Sequence, residues 1–155
     1  MTILDGSNNN PNSPPQQSPP TVILTDIPWY RSTAPNSLSI WTRNLQGIQI
    51  QEDFRPKGCQ FSIDGPSITF GAGNEMGALN AAASLQNLTI LSGGQDSVNY
   101  GGYASGAGHG ALSATYGLAA DNVLEMEVVT PGGEILTINE CQNQDLFWAN
   151  RGVSY

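Results

Sequence analysis

The first half of the chain carries short apolar runs that predict β-strands. These runs are Thr21–Leu24, the alternating Ser37–Trp41, Gly47–Gln51 and Ser67–Phe70. Between the last two, Glu52–Gly65 contains proline and glycine and is expected to form a loop or hairpin connection. Short strands separated by turns favour a small domain with a sheet, beginning after residue 20.

A strand, a helix and a second strand are predicted in succession over residues 67–91. The helix runs from about Glu75 to Gln86 with Asn74 as its expected N-cap, and the second strand is Leu88–Leu91. Glycines around this unit mimic the dinucleotide fingerprint of a Rossmann fold, so an NAD(P)-binding module is one interpretation. They are Gly71, Gly73 and Gly77, with a weaker match at Gly106, Gly108 and Ala111.

The last third of the chain predicts a β-hairpin flanked by two helices. Val123–Thr130 is expected to pair with Glu134–Ile138 through a type II turn at Pro131-Gly132, leaving Glu125 and Glu127 on a solvated face. The helices are expected at His109–Tyr116, ended by Gly117, and from the cap Asn143 to Arg151, ended by Gly152.

Composition and charge narrow the class of protein. Residues 1–20 are mostly Asn, Pro, Ser and Gln, which predicts a disordered leader, and residues 21–155 are expected to form one domain. The net charge of −8 and the five scattered basic residues argue against a nucleic-acid partner. The chain has neither a membrane-spanning apolar run nor a signal-peptide pattern, so a soluble, cytoplasmic protein is expected.

Few side chains carry obvious chemistry. The single His109 and the distant Cys59 and Cys141 give no metal-ligand spacing, so no metal site is expected. The sequence leaves open whether the two cysteines pair. Asn87-Leu88-Thr89 is a glycosylation sequon, which matters only in a secreted chain.

The most constrained stretch is residues 101–110, which contains five glycines. Glycine is favoured where φ must be positive or where a ligand touches the main chain. Bare N–H groups in such a run can form a concave nest for an anion, above all a phosphate. A flexible glycine-rich loop without a ligand is the competing interpretation.

Residues 92–152 resemble a known family. The run GGYASGAGHGALSATYGLAADNVLEMEVVTPGGEILT, followed by NQDLFWANRG, closely resembles FAD-linked oxidoreductases with a vanillyl-alcohol-oxidase (PCMH) type flavin domain. The likeness is strongest to the berberine-bridge-enzyme-like group of fungal and plant secondary metabolism, and Ser37–Leu45 and Phe70–Gly73 share it. It implies an α+β fold, a partial PCMH-type FAD-binding domain, and it displaces the Rossmann interpretation.

The resemblance also implies how FAD would be held, largely by main-chain contacts. His109 would pack near the flavin, or else bond to backbone at a helix N-terminus. Asp121 would lie near the adenosine half of FAD, or else cap a turn. The implied cofactor-binding residues are Ser97, Gly101, Gly102, Ser105, Gly106, Gly108, His109, Asp121, Asn122 and Val123.

Several departures from the family pattern affect the expected chemistry. Thr25–Tyr30 stands where the family carries its flavin-attaching histidine, and Gln95 stands where bicovalent members carry cysteine, so bound FAD is expected to be non-covalent. Asn99 and Ala107 replace glycines. The family's first phosphate-binding subdomain and its substrate domain have no counterpart in the chain, and catalytic residues stay unassigned.

The implied function is oxidation of a small molecule of secondary metabolism, with hydride transfer to FAD and oxygen as acceptor. Because the chain looks truncated at both ends, a non-catalytic or inactive remnant without oxidase turnover is the alternative. A Rossmann module is the third interpretation.

Overall fold

The computed structural model describes residues 40–152. The expected leader 1–20, the Thr21–Leu24 run and most of Ser37–Trp41 therefore lie outside the described residues. The elements are β1 (Ile48–Gln51), β2 (Ser67–Phe70), α1 (Met76–Ser84), α2 (Tyr100–Ser105), α3 (Ser113–Tyr116), β3 (Glu125–Val129), β4 (Ile135–Asn139) and α4 (Gln144–Ala149), with 3-10 turns at Thr42–Asn44 and Ala119–Asn122. This mixture of helices and antiparallel strands confirms the α+β fold class.

Strands β1 and β2 form an antiparallel pair in which Ile48 lies opposite Phe70. The turn after β2 passes so close to the preceding segment that added side chains would clash. A Cβ on Gly71 would lie 2.3 Å from the Leu45 carbonyl oxygen, and one on Gly73 would lie 2.2 Å from that of Thr42. These glycines therefore permit the close approach of two chain segments, as expected for a tight strand-to-helix turn.

The Rossmann interpretation is wrong for this fold. That fold needs parallel strands and a helix whose free N-terminal N–H groups face a pyrophosphate. Here β1 and β2 are antiparallel, and the N–H groups of Met76 and Gly77 at the start of α1 donate to the carbonyls of Val98 and Asp96 at 3.0 Å. The start of α1 is thus covered by the chain itself.

Two predictions around α1 are corrected. The N-cap is Glu75, because the Asn74 side chain donates instead to the carbonyls of Gly47 and Gly71 and so holds the strand-to-helix turn. Leu88–Leu91 is not a strand within the described residues. Leu91 packs into the core, and its carbonyl accepts a hydrogen bond from the Tyr100 hydroxyl at 2.8 Å.

The hairpin of β3 and β4 forms as predicted but with a different turn. The Thr130 carbonyl accepts from the N–H of Gly133, and the Thr130 N–H donates to the carbonyl of Glu134. Gly133, rather than Gly132, carries the positive φ of 85°. A type II turn needs a positive φ at Gly132, so this connection is the three-residue loop that ends in a left-handed glycine.

Glu125 is buried at 3% exposure, which corrects the predicted solvated face of β3. Its carboxylate accepts from the Lys57 main-chain N–H and from the Asn139 side-chain amide, both at 2.7 Å. Asn139 in turn donates to the Lys57 carbonyl and accepts from the N–H of Cys141. The loop around Lys57 therefore covers this end of the hairpin.

A disulfide between Cys59 and Cys141 joins the same two regions across 82 residues of sequence. It settles the pairing that the sequence left open. The disulfide and the Glu125 and Asn139 hydrogen bonds together fix the segment from Phe54 to Ile63, which contains one isolated bridge of its own, onto the end of β4.

A single apolar cluster links the two hairpins to the helices. Its fully buried members include Leu79 of α1, Ala104 of α2, Ile138 of β4 and Phe147 of α4. Asn143 is the N-cap residue of α4 as predicted, but its side chain donates to the Thr137 carbonyl instead of bonding to the helix. The remaining buried cluster members are Phe70, Met76, Leu91, Tyr100, Ala119, Val123, Met126 and Val128.

Candidate functional site

The glycine-rich stretch begins as helix α2, not as the open nest expected for it. Tyr100 and Ala104, one helical turn apart, are buried in the core, and this anchoring overrides the low helix propensity of glycine. Gly102 lies on the opposite, exposed side, where a Cβ added to it would have no atom within 4 Å. The main chain of α2 is therefore bare toward solvent.

The first turn of α2 contains one buried glycine, Gly101, and one exposed glycine, Gly102. The N–H groups of Gly101 and Gly102 have no acceptor among residues 40–152, whereas the neighbouring N–H groups of Tyr100 and Tyr103 donate to Asn74 and Asn99. Unpaired main-chain donors next to exposed glycine suit an anionic group that approaches the backbone closely. The donor set fits the phosphates of FAD.

Tyr103 organises the three glycine-bearing segments of the site. Its ring would lie 3.2 Å from a Cβ on Gly93 and 2.9 Å from one on Gly108, and its hydroxyl would lie 3.1 Å from one on Gly110. A side chain at Gly93 would press on the ring first, whereas one at Gly108 or Gly110 would first meet the Ala119 side chain at 2.5 Å or the Ser92 carbonyl oxygen at 2.2 Å. The sequence reasoning missed Tyr103, although a lone aromatic residue inside a glycine run was the signal that could have found it.

Residues 107–110 are held in a strained but well-anchored conformation. Ala107 and Gly108 have φ values of 76° and 74°, and their carbonyls accept from the N–H groups of Ala120 and Ala119 at 3.0 Å. Ala107 thus occupies a left-handed position that glycine would fill at lower cost. The replacement of glycine by Ala107 is accommodated by backbone pairing.

The two serine hydroxyl groups predicted for the site differ in their hydrogen bonds and exposure. Ser105 donates to the Gly101 carbonyl at 2.9 Å within α2, so it reinforces the helix. Ser97 is exposed and accepts from the Gln95 side chain at 3.0 Å. Gly106 follows α2 directly, where its N–H donates to the Gly102 carbonyl.

His109 is exposed, and its imidazole makes no hydrogen bond within the described part of the chain. The alternative of a histidine bonded to backbone at a helix N-terminus is therefore not what the structure has. Helix α3 begins four residues later, and Gly110, not His109, donates to the Ser113 hydroxyl there.

Asp121 and Asn122 use their side chains to hold the turn before β3. The Asp121 carboxylate accepts from the Leu118 N–H at 2.7 Å, as the turn-capping alternative expected. The Asn122 amide donates to the carbonyls of Tyr116 and Leu118. Val123 is a core residue at 3% exposure.

A cavity of about 190 Å³ opens beside this turn. Asn122 and Val123 form one wall, and Ser67, Thr89 and Tyr100 contribute to the rest. The hydroxyl oxygen of Ser67 is buried without a hydrogen-bond partner among the described residues. The cavity wall is thus about equally polar and apolar, and the buried Ser67 hydroxyl remains without a partner there.

The two tyrosines of α2 stay neutral at physiological pH. Burial, together with the neighbouring Tyr103, raises the pKa of Tyr100 to about 12, and burial also raises the pKa of Tyr103. Their rings meet edge to face with centroids 5.5 Å apart. Neither phenol therefore adds a charge beside α2 at physiological pH.

Residues 40–152 show neither a metal-binding cluster nor a membrane-spanning helix. That part of the chain holds no group of three His, Cys, Asp or Glu side chains that could bind a metal ion. None of its helices is long and apolar enough to cross a membrane.

A family model described as an FAD binding domain matches residues 33–139. The chain belongs to this FAD-binding domain family. The match contains the whole glycine-rich stretch, both hairpins and the turn at Asp121, so the family assignment and the candidate site rest on the same residues.

Curated relatives of this chain include FAD-linked oxidoreductases of fungi. FAD-linked oxidoreductase phmC of Phaeosphaeria nodorum is 44% identical over 123 residues, which cover 79% of this chain and 28% of the relative. Aurantioclavine synthase cnsA of Penicillium expansum is 42% identical over 124 residues, covering 79% of this chain and 27% of the relative. The chain spans between 20% and 28% of the length of the curated relatives it matches.

Solved structures give the same family. The VAO-type flavoprotein MtVAO713 of Myceliophthora thermophila superposes with a TM-score of 0.72 at 32% identity, covering 79% of this chain and 22% of that protein. MtVAO615 from the same fungus superposes with a TM-score of 0.68 at 38% identity, covering 75% of this chain and 21% of that protein. The expected VAO-type, PCMH-like fold is confirmed.

Proposed function

We propose that residues 40–152 form the central part of the FAD-binding domain of an oxidoreductase of secondary metabolism. The N–H groups of Gly101 and Gly102, which have no acceptor among residues 40–152, are the observation that carries the proposal, and of the two only Gly102 is exposed. When bound, FAD would supply two-electron chemistry, taking a hydride from a small-molecule substrate with oxygen as the final acceptor.

In this proposal the phosphates of FAD lie against the exposed side of α2 at Gly102, which is the candidate face. The Gly101 and Gly102 N–H groups donate to phosphate oxygens, and the absence of a side chain at Gly102 lets the cofactor lie against the backbone. Ser97 and Gly106 are exposed and belong to the same proposal, whereas the buried Gly108 contributes through the loop conformation that its φ of 74° sets. His109, which is also exposed, packs against the cofactor.

The adenosine end of FAD lies toward the turn at Asp121–Val123. There Asp121 and Asn122 act indirectly, because their side chains hold the turn in shape. Asn122 and Val123 present the cavity wall, and the unpaired Ser67 hydroxyl is the polar group available to an adenine nitrogen.

A pair of glycine-to-alanine variants of the full chain tests the phosphate assignment. Gly102→Ala and Gly132→Ala both place a methyl group at an ordinary φ, with no atom closer than 3.7 Å. Gly102 lies on the candidate face, whereas Gly132 lies in the remote hairpin turn. FAD affinity is measured for both variants by titration with quenching of flavin fluorescence.

Gly102→Ala is expected to weaken FAD binding about tenfold while stabilising α2 by about 1 kcal/mol, because alanine is the better helix former. Gly132→Ala is expected to bind FAD as the parent does. Unchanged affinity in Gly102→Ala would place the phosphates elsewhere, and a parent chain that binds no FAD would overturn the proposal itself.

A second measurement distinguishes an active oxidoreductase from a non-catalytic remnant that only binds FAD. The FAD-loaded chain is mixed anaerobically with a panel of alcohols and amines while the flavin absorbance is followed. Substrate-dependent bleaching supports an oxidoreductase, and tight FAD binding without bleaching by any panel member supports the non-catalytic alternative.

A further inference from the structure

We propose that Asn87 is an N-glycosylation site and that the chain matures in an oxidising secretory compartment. Asn87-Leu88-Thr89 is the one Asn-x-Ser/Thr sequence in the chain whose middle and following residues are not proline. Two conditions decide whether this sequon is glycosylated. The asparagine side chain must be accessible to the transferase, and the chain must enter a compartment that contains that enzyme. Two separate features of the structure bear on these conditions.

The asparagine is reachable. Asn87 is exposed at the tip that follows α1, and the neighbouring Leu85 is 84% exposed. The Asn87 side-chain amide makes no hydrogen bond to any residue of the described range 40–152. A glycan attached at this nitrogen would extend into solvent without displacing a packed side chain or breaking a hydrogen bond.

The disulfide indicates the cellular compartment in which the chain folds. Cys59 and Cys141, the only cysteines of the chain, are joined to each other. Structural disulfides form and persist in oxidising environments and are rare in the cytosol. The disulfide therefore favours the secretory pathway over the cytoplasmic location expected from the sequence, and that pathway also carries out N-glycosylation.

The proposed glycosylation is a group transfer in which one bond forms and one bond breaks. A lipid-pyrophosphate-linked oligosaccharide is the donor, and a host transferase is the catalyst. The Asn87 side-chain nitrogen forms a bond to the anomeric carbon, the bond from that carbon to the pyrophosphate oxygen breaks, and the lipid pyrophosphate leaves. One amide proton passes to a base of the transferase, and nothing is oxidised or reduced.

If Asn87 served only to end helix α1, its variants would behave differently from those of a glycosylation site. Its φ of 55° is left-handed, a position after a helix where asparagine and glycine are both favoured. Its N–H donates to the Ser84 carbonyl, and the Leu88 N–H donates to that of Ala83. This role needs neither a side-chain amide nor the hydroxyl of Thr89.

Matched variants separate the two roles when the full chain is expressed through a eukaryotic secretory pathway. The parent and Thr89→Ser are expected to migrate faster on a gel after treatment with a peptide N-glycosidase. Asn87→Gln and Thr89→Ala are expected to lose that shift. No shift in the parent, or a shift that survives Thr89→Ala, would overturn the assignment of Asn87.

Analysis of the protein isolated from its natural source tests whether the chain passes through the secretory pathway. Cleavage after Glu75 and before Asp96 releases the peptide of residues 76–95, which contains the sequon. Enzymatic deglycosylation in heavy-oxygen water is expected to convert Asn87 to labelled Asp and to leave Asn80 unlabelled. Unmodified Asn87 in the natural protein, or free thiols at Cys59 and Cys141, would contradict the proposal.

Discussion

Glu125 and Asn139 face each other across the β3–β4 hairpin, and the carboxylate of one accepts from the amide of the other at 2.7 Å. Both side chains are buried, at 3% and 0% exposure. The Lys57 main chain completes the pair by donating to Glu125 and accepting from Asn139. A loop 68 residues away in sequence from Glu125 is thereby fixed to the hairpin.

Asn139→Asp is expected to destabilise the chain by about 3 kcal/mol, because it places two buried carboxylates against each other and removes two hydrogen bonds. Chemical denaturation at neutral pH measures this loss. The control is Glu134→Gln in the exposed hairpin turn, which should change the free energy of unfolding by less than about 0.5 kcal/mol. Equal stability of the two variants would contradict this account of the pair.

Gly73→Ala is expected to cost at least about 2 kcal/mol, since its Cβ would lie 2.2 Å from the Thr42 carbonyl oxygen and main chain would have to move. Gly94→Ala is the matched control, because no atom lies within 4 Å of that Cβ position. Thermal unfolding of the two variants compares them. A neutral Gly73→Ala would mean that the segment at Thr42 is not packed against this turn.

Tyr100→Phe is expected to cost about 1 kcal/mol at pH 8, because the buried Leu91 carbonyl loses its donor. The parent should also lose stability as pH rises from the ordinary tyrosine pKa of 10.0 toward the folded value of about 12, since the unfolded chain releases the phenolic proton first. Tyr100→Phe should lack that part of the alkaline decline. The exposed Tyr116 gives a control, Tyr116→Phe, which should match the parent in stability at pH 8 because it removes no buried hydrogen bond.

Bound flavin is expected to be non-covalent. Both cysteines are held in the disulfide, so no thiol is free for a thioether bond, and His109 is the one histidine of the chain. Acid precipitation of the FAD-loaded chain should leave the yellow colour in the supernatant. Colour retained in the pellet of the parent and lost in His109→Ala would show a histidyl bond and would contradict this prediction.

Alternating patterns predicted the strands well because each pairs with a neighbour close in sequence. β2 falls at the predicted Ser67–Phe70, and β3 and β4 lie within one or two residues of their predicted ends. Leu88–Leu91 has the same apolar character but no adjacent strand in residues 40–152, so it serves the core as an irregular segment. A strand needs a partner, which the local pattern does not reveal.

The features of the site that sequence reasoning missed depend on distant contacts. Glycine propensity predicted an open loop at residues 101–110, but burial of Tyr100 and Ala104 makes a helix of its first part. Glu125 was predicted to be exposed to solvent because the loop at Lys57, which covers it, is distant in sequence and leaves no signal near Glu125. Gly108 meets one expectation for this stretch, because its φ of 74° is positive.

The disulfide and the placement of the basic residues together determine how the folded chain responds to proteases. Residues 58–150 contain neither lysine nor arginine, so trypsin has no cleavage site within the ring that Cys59 and Cys141 close. Trypsin resistance of this region therefore says nothing about whether it is folded. A chymotryptic nick inside the ring would leave two fragments that run as one band until the sample is reduced.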